Sequence, residues 1–246
     1  MLYLAKMDIK KYLFPVVEFL MALVVMEVFI AVGILGGRSG LVSTAIYMYL
    51  IVMLLMVFFV LGTAGKVFLG DLRNEQFYPM CKKNGLNRVS ILGYMTVIYS
   101  AILGIMAALY VGVMGLDILW IRHAFPDIHE EIEQIFSEII RKENSAALVL
   151  SAILDYLFVA VSFVTLVFFA VTMAYNIFTK KRYCGILAGV FTVVFGYFMI
   201  LVSTKIIAVE DRIQYHLYTA LALAIFALAF LAVTHSSVKK HEWTDN

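Results

Sequence analysis

Charged side chains are few within the long apolar runs of this 246-residue chain, and Glu18, Glu27, Asp155 and, near the end of its run, Lys205 stand out. A charge at mid-membrane costs at least about 2.5–3.5 kcal/mol on insertion scales, so each is expected to face protein or water rather than lipid. Glu18 and Glu27 stand nine positions apart, half a turn out of phase on a helix, and cannot line one face together. Glu27 lies deepest, and two roles are open to it. It is either a cavity carboxylate that binds a basic group of a substrate or a protonated carboxyl in an interhelical hydrogen bond. Asp155, about two turns into its own run, is the second cavity candidate and is expected to pair with Lys205.

Other chemistry is absent from the sequence pattern. Gly62–Lys66 reads GTAGK, but a phosphate loop needs four residues between its first glycine and its Gly-Lys pair, and Ser or Thr after it; Val60 and Val67 do not fit. His129–Glu133 reads HEEIE and lacks the second histidine of a zinc-binding HExxH. The five histidines are scattered, and neither a Cys/His cluster with ligand spacing nor a GxSxG turn is present. No catalytic residue, bound cofactor or metal site is expected. The net charge of +2 and the lack of basic runs interleaved with aromatics give no reason to expect nucleic acid.

The elements that must position Glu27 and Asp155 are membrane spans. Hydrophobic residues make up 63% of the chain and charged ones 15%, where a soluble domain has about 25% charged residues. Runs of about 20 apolar residues are long enough to cross a bilayer as helices, and six are present: Phe14–Leu35, Thr44–Val67, Val89–Met114, Ala146–Phe178, Gly185–Ile207 and Tyr215–Val233. The sequence therefore predicts one all-α transmembrane domain over 1–246. Lys6, Lys10, Lys11, Lys66, Arg73, Lys82, Lys83, Arg88, Lys180, Lys181, Arg182, Lys239 and Lys240 would lie on one side; Arg38, Arg122, Arg141, Lys142, Lys205 and Arg212 on the other. The positive-inside bias puts both termini in the cytoplasm. Cys81 and Cys184 then fall on the reducing side, where no structural disulfide is expected.

Three connecting or terminal stretches carry further signals. Residues 1–13 mix Leu2, Leu4, Met7 and Ile9 with Lys6, Lys10 and Lys11, which suits an amphipathic helix at the inner interface. In 115–145, Ile128, Ile132, Ile135, Phe136, Ile139 and Ile140 form a helical face with Glu130, Glu131, Glu133 and Glu138 largely opposite. That outer segment, in which Asp117 is counted among the acids, is either an acidic lid on the membrane surface or a receiver for a cationic substrate. Gly185, Gly189 and Gly196 make a small-residue stripe for close helix packing, within the chain or across a dimer.

Residues 70–89 form the largest connection on the cytoplasmic side. This stretch is basic, yet it carries Phe77, Tyr78 and Met80, residue types enriched in interface cores. Glu75 opens it, Lys82, Lys83 and Asn84 follow, and Gly85-Leu86-Asn87-Arg88 leads into the next span. This pattern resembles the coupling helix of exporter permeases in ATP-binding cassette (ABC) transporters, between the ABC-2 and FtsX-like types. The size and the lack of a large outer domain are most similar to permeases of phenol-soluble-modulin-type peptide exporters in Gram-positive bacteria. The resemblance implies a multi-pass subunit of a bacterial cell membrane that pairs with a second copy, most simply as a homodimer. It implies two copies of a cytoplasmic ATPase that bind ATP and Mg and dock on Glu75, Phe77, Tyr78, Met80, Lys82, Lys83 and Asn84. It also implies export of amphipathic or antimicrobial peptides by alternating access, with lipid or drug as other cargo classes. Two rivals stand beside it: a non-transporting immunity or sensor protein that binds peptide, and an ion-coupled carrier using Glu27 and Asp155.

Overall fold

A computed structural model describes residues 2–74, 83, 85, 87–125, 146–178, 181–206 and 211–238. Six long helices account for nearly all of these: α1 Leu2–Leu35, α2 Ser39–Arg73, α3 Arg88–Ala124, α4 Ala146–Ile177, α5 Lys181–Ile206 and α6 Arg212–Val238. No strand occurs among the described residues. Each helix contains a stretch long and apolar enough to cross a membrane: Val16–Leu35, Ser39–Arg73, Val89–Ile121, Leu150–Ile177, Tyr183–Ser203 and Arg212–Ser237. The six expected spans are all present, and the chain has the build of a multi-pass membrane protein. The physical reason is that hydrocarbon offers no hydrogen bonds, so each spanning segment must satisfy its backbone internally, as a helix does.

Two boundaries differ from the sequence reading. The helix that begins at Leu2 is continuous with the first span. The third helix does not stop at Met114 but runs on through Leu116, Ile118, Leu119 and Ile121 to Ala124. Residues 115–124, expected in the outer connection, thus belong to α3, and Asp117 moves from an outer acid to a helix residue. The acids Glu130, Glu131, Glu133 and Glu138 lie outside the described residues, as do Glu75, Phe77, Tyr78, Met80, Lys82 and Asn84 of the coupling stretch.

The helix ends follow from capping chemistry. After α1, Gly37 takes φ +63°, Arg38 N–H donates to Gly33 C=O at 2.8 Å and Gly37 N–H to Ile34 C=O at 3.1 Å. This is a Schellman motif, and glycine supplies the left-handed residue it needs. The α3 helix starts at an Asn87 cap whose Oδ1 accepts from Ser90 N–H at 2.8 Å. Asp211 does the same for α6, accepting from Ile213 N–H at 2.8 Å.

The chain divides into two compact units. One comprises Leu2–Phe59 with Ile102–Ala146; the other comprises Val60–Ala101 with Ala147–Asn246. In the first, α1 and α2 form a tight antiparallel hairpin. A Cβ on Gly33 would stand 2.7 Å from Val42 Cγ2, so glycine permits this close crossing. In the second, α4 is central: 61% of its most apolar stretch is buried, against 33% or less in the other five spans. Its core joins Leu166 and Phe169 to Met199, Leu223 and Phe230. Phe169 stacks on Phe230 at 5.1 Å and meets Phe195 edge-on at 5.2 Å. Phe168, fully buried, packs on Phe68 at 4.7 Å and Tyr99 at 6.3 Å. Polar side chains in this unit largely turn to helix carbonyls. Thr172 donates to Phe168 C=O on its own helix, and Ser162 reaches across from α4 to Leu223 C=O on α6.

The small-residue stripe of α5 resolves into two parts. Gly196 packs on α4, with Leu166 and Phe163 side chains 3.5 and 3.7 Å from where its Cβ would be. Around Gly185 and Gly189 the corresponding space is open. The closest glycine contact in the unit is Gly65 instead, where a Cβ would meet Val167 at 3.0 Å and Val171 at 3.4 Å. Gly65→Leu is expected to destabilise the protein by about 1–3 kcal/mol through overpacking, whereas Gly189→Leu leaves its stability in detergent unchanged or higher. Thermal melting of the two variants in the same micelle checks the contrast.

Candidate functional site: a buried carboxyl and tyrosine cluster

In the first unit, Glu27 interacts with Tyr49 and Asp117, and Tyr49 in turn packs on Tyr110, contacts that the sequence reading did not draw. The α1–α2 turn sets the geometry. Glu27 lies eight residues before the end of α1 and Tyr49 ten residues into α2, about 12 and 15 Å from the turn, so the hairpin brings them level. The Tyr49 hydroxyl donates to Glu27 Oε1 across this hairpin. Tyr49 is 1% exposed; Glu27 is half-buried.

The third wall comes from α3. Tyr110 and Asp117 are seven positions apart, two turns along one helical face. The Tyr110 ring meets the Tyr49 ring edge-on at 5.6 Å with 62° between planes. Asp117, 5% exposed, lies within electrostatic reach of Glu27. Its Oδ2 and the Tyr110 hydroxyl are buried with no hydrogen-bond partner among the described residues. Glu18, half-buried in α1, makes no described contact with the cluster, in keeping with its half-turn offset from Glu27.

Both roles foreseen for Glu27 bear on this geometry. It makes an interhelical hydrogen bond, but here Glu27 accepts and a tyrosine donates. It also stands near a second carboxyl, Asp117. Its ligands are all oxygen, a set suited to hard cations or to N–H donors. No group of three or more His, Cys, Asp or Glu side chains that could hold a metal ion occurs among the described residues.

Asp155 lies in the second unit, and its partner there is His216 at the start of α6. His216 Nδ1 and Asp155 Oδ2 are 2.9 Å apart, with the two side chains 24% and 12% exposed. The expected partner was Lys205, whose side chain lies outside the described residues. Asp155 Oδ1 is buried with no partner among the described residues. Ser90, Tyr94 and the other polar residues of α3's first half belong to this second unit and not to the Glu27 cluster.

Of the site residues, Glu27 and Asp155 were legible as acids in apolar runs. Tyr49, Tyr110 and His216 were not, because tyrosines and a lone histidine in a span are compatible with ordinary packing. Asp117 had a signal: the apolar run continues past it to Ile121, which makes it a span residue. Cys184 is a buried free thiol; Cys81 lies outside the described residues.

Comparison of the chain with protein-family models, curated proteins and solved structures found no match.

Two double-mutant cycles check these contacts. Tyr49→Phe should destabilise by about 1–3 kcal/mol, the cost of leaving a buried acceptor unmatched, and should be non-additive with Glu27→Gln. Asp155→Asn and His216→Asn should likewise show a coupling of about 0.5–3 kcal/mol. Additive losses in either cycle contradict the corresponding pairing.

Proposed function

We propose that this chain is the transmembrane subunit of an exporter powered by a separate cytoplasmic ATPase, with amphipathic cationic peptide as cargo. The observation that supports this most directly is the way the third helix starts. Gly85 has φ +74°, and Asn87 caps the helix that begins at Arg88. The Gly-Leu-Asn-Arg segment on which the exporter resemblance rests thus has the chemistry of a sharp turn feeding a span. That turn would carry force from a docked ATPase on residues 75–84 directly into α3. The same helix bears Tyr110 and Asp117, and Glu27 of α1 lies near Asp117, so one acid of a pair suited to a basic cargo stands on an element the ATPase would move. On this reading the termini are cytoplasmic, residues 1–13 lie at the inner interface, and two copies of the chain pair to complete the pathway.

A second reading has its own support. A buried carboxyl pair within spans is the usual equipment of a carrier coupled to an ion gradient, and Glu27 with Asp117 makes such a pair. The acids differ from those expected for a carrier, Glu27 with Asp155, which lie in separate units.

The deciding experiment is purification of the chain from its native membranes in mild detergent, comparing wild type with Phe77→Asp/Tyr78→Asp. The expected result is a co-purifying ATPase whose activity rises with added amphipathic peptide, both lost in the double variant while thermal melting is unchanged. Peptide transport that survives ATP depletion but collapses with the membrane potential supports the carrier instead.

A further inference from the structure

Three contacts between α4 and α6 repeat one offset. Asp155 meets His216, Ser162 donates to Leu223 C=O, and Phe169 stacks on Phe230; the members of each pair stand 61 positions apart. A constant offset means that the two helices run parallel. The pairs recur every seven residues, two helical turns, so one face of α4 lies in register along one face of α6. From the acid to the aromatic ring this seam covers about 21 Å.

The α6 face carries the same kinds of chemistry a second time, one turn earlier. Four positions before His216 is Arg212, four before Leu223 is Thr219, and four before Phe230 is Phe226. Residues four apart share a helical face. These earlier residues are incompletely used in the register observed. Arg212 is exposed. Thr219 is buried, and its hydroxyl has no hydrogen-bond partner among the described residues. Phe226 is half-buried alongside Phe230, their rings 6.1 Å apart. On the α4 side, His216 engages only Oδ2 of Asp155, and the buried Oδ1 has no partner among the described residues. Between the three layers α6 presents Ala220 and Ala227, both buried. Side chains this small make low ridges, which allow close approach and do little to block a slide along the helix axis.

We infer that α4 and α6 form a two-register ratchet, in which α6 steps one turn along α4 and Asp155 exchanges His216 for Arg212. In the second register Thr219 stands opposite Ser162, and Phe226 stands opposite Phe169. Each layer keeps its kind: acid with base, hydroxyl with a hydrogen-bonding partner, ring with ring. The step spans four residues, about 6 Å with a screw of about 40°. That is the scale of the one-turn jumps by which packed helices pass between discrete arrangements. A guanidinium can reach both oxygens of a carboxylate, where an imidazole nitrogen reaches one. The gain is offset by the cost of drawing Arg212 out of solvent, so the His216 register is the one observed. The ratchet lies wholly within the second unit and does not depend on the exporter reading.

A distance measurement along the helix axes tests it. Leu150 near the start of α4 and Val233 near the end of α6 are both exposed, so Leu150→Cys/Val233→Cys carries spin labels without touching the seam. The background is Cys81→Ser/Cys184→Ala, and the full-length chain is placed in lipid nanodiscs with excess unlabelled chain so that only distances within one chain are read. By double electron–electron resonance, the chain with its seam intact should give mainly one separation. Adding His216→Leu should bring in a population about 6 Å longer, because the step carries α6 toward its C-terminal end. Removing the second base as well, in His216→Leu/Arg212→Gln, should abolish that population. Should His216→Leu fail to fold, His216→Gln takes its place, since it stays polar but withdraws the Nδ1 contact. A folded His216 variant with the separation of the intact seam, or a longer population that survives the loss of Arg212, overturns the ratchet.

Discussion

The dominant constraint on this protein is that its surroundings offer no hydrogen bonds. In water a backbone amide or a stray carboxyl can turn to solvent; in hydrocarbon it must find its partner within the protein. That requirement makes the backbone helical for stretches as long as the 37 residues of α3. It also governs the side chains: Thr96 and Thr172 donate to carbonyls on their own helices, and Ser162 donates to a carbonyl on a neighbouring one. Where side chains cannot be satisfied so locally, the helices that carry them are brought together.

The Glu27 cluster is the clearest result of that pressure in the first unit. A Schellman turn at Gly36–Arg38 closes the α1–α2 hairpin, Gly33 lets the helices approach, and the hairpin sets Glu27 level with Tyr49. The hydrogen bond that tethers α1 to α2 occupies one oxygen of Glu27, while its interaction with Asp117 ties the same acid to α3. Any group that binds these carboxyls acts on three helices at once. In the second unit, by contrast, apolar packing around α4 dominates. Aromatic rings from four helices surround Phe168 and Phe169, and Asp155–His216 is a polar contact at one end of that unit.

Some of the expectations drawn from residue types survived in altered form. Glu27 was expected to be either a binding carboxylate or a protonated carboxyl in an interhelical hydrogen bond, and it makes an interhelical hydrogen bond in which it accepts from Tyr49. The glycine stripe of α5 divides, with Gly196 packing within the chain and Gly185 and Gly189 facing open space. Asp155 has a histidine partner that matching it with a lysine did not suggest, because an imidazole nitrogen is a hydrogen-bonding partner for a carboxylate wherever geometry brings the two together.

The sequence by itself determined the number of spans and the all-helical class, since length and hydropathy suffice to say what can cross about 30 Å of hydrocarbon. It also singled out Glu27 and Asp155, since the cost of an acid in an apolar run is readable one residue at a time. Only the tertiary structure decided which residues share a site. Asp117 and Tyr110 are more than eighty positions from Glu27 in the chain. Their meeting depends on the hairpin angle and on how far α3 extends, quantities set by packing between helices and carried by no local pattern. Hydropathy falls off gradually at a span's end, so the bounds chosen for a run decide whether an acid there reads as a span or a loop residue, and only the neighbouring helices show that it is buried.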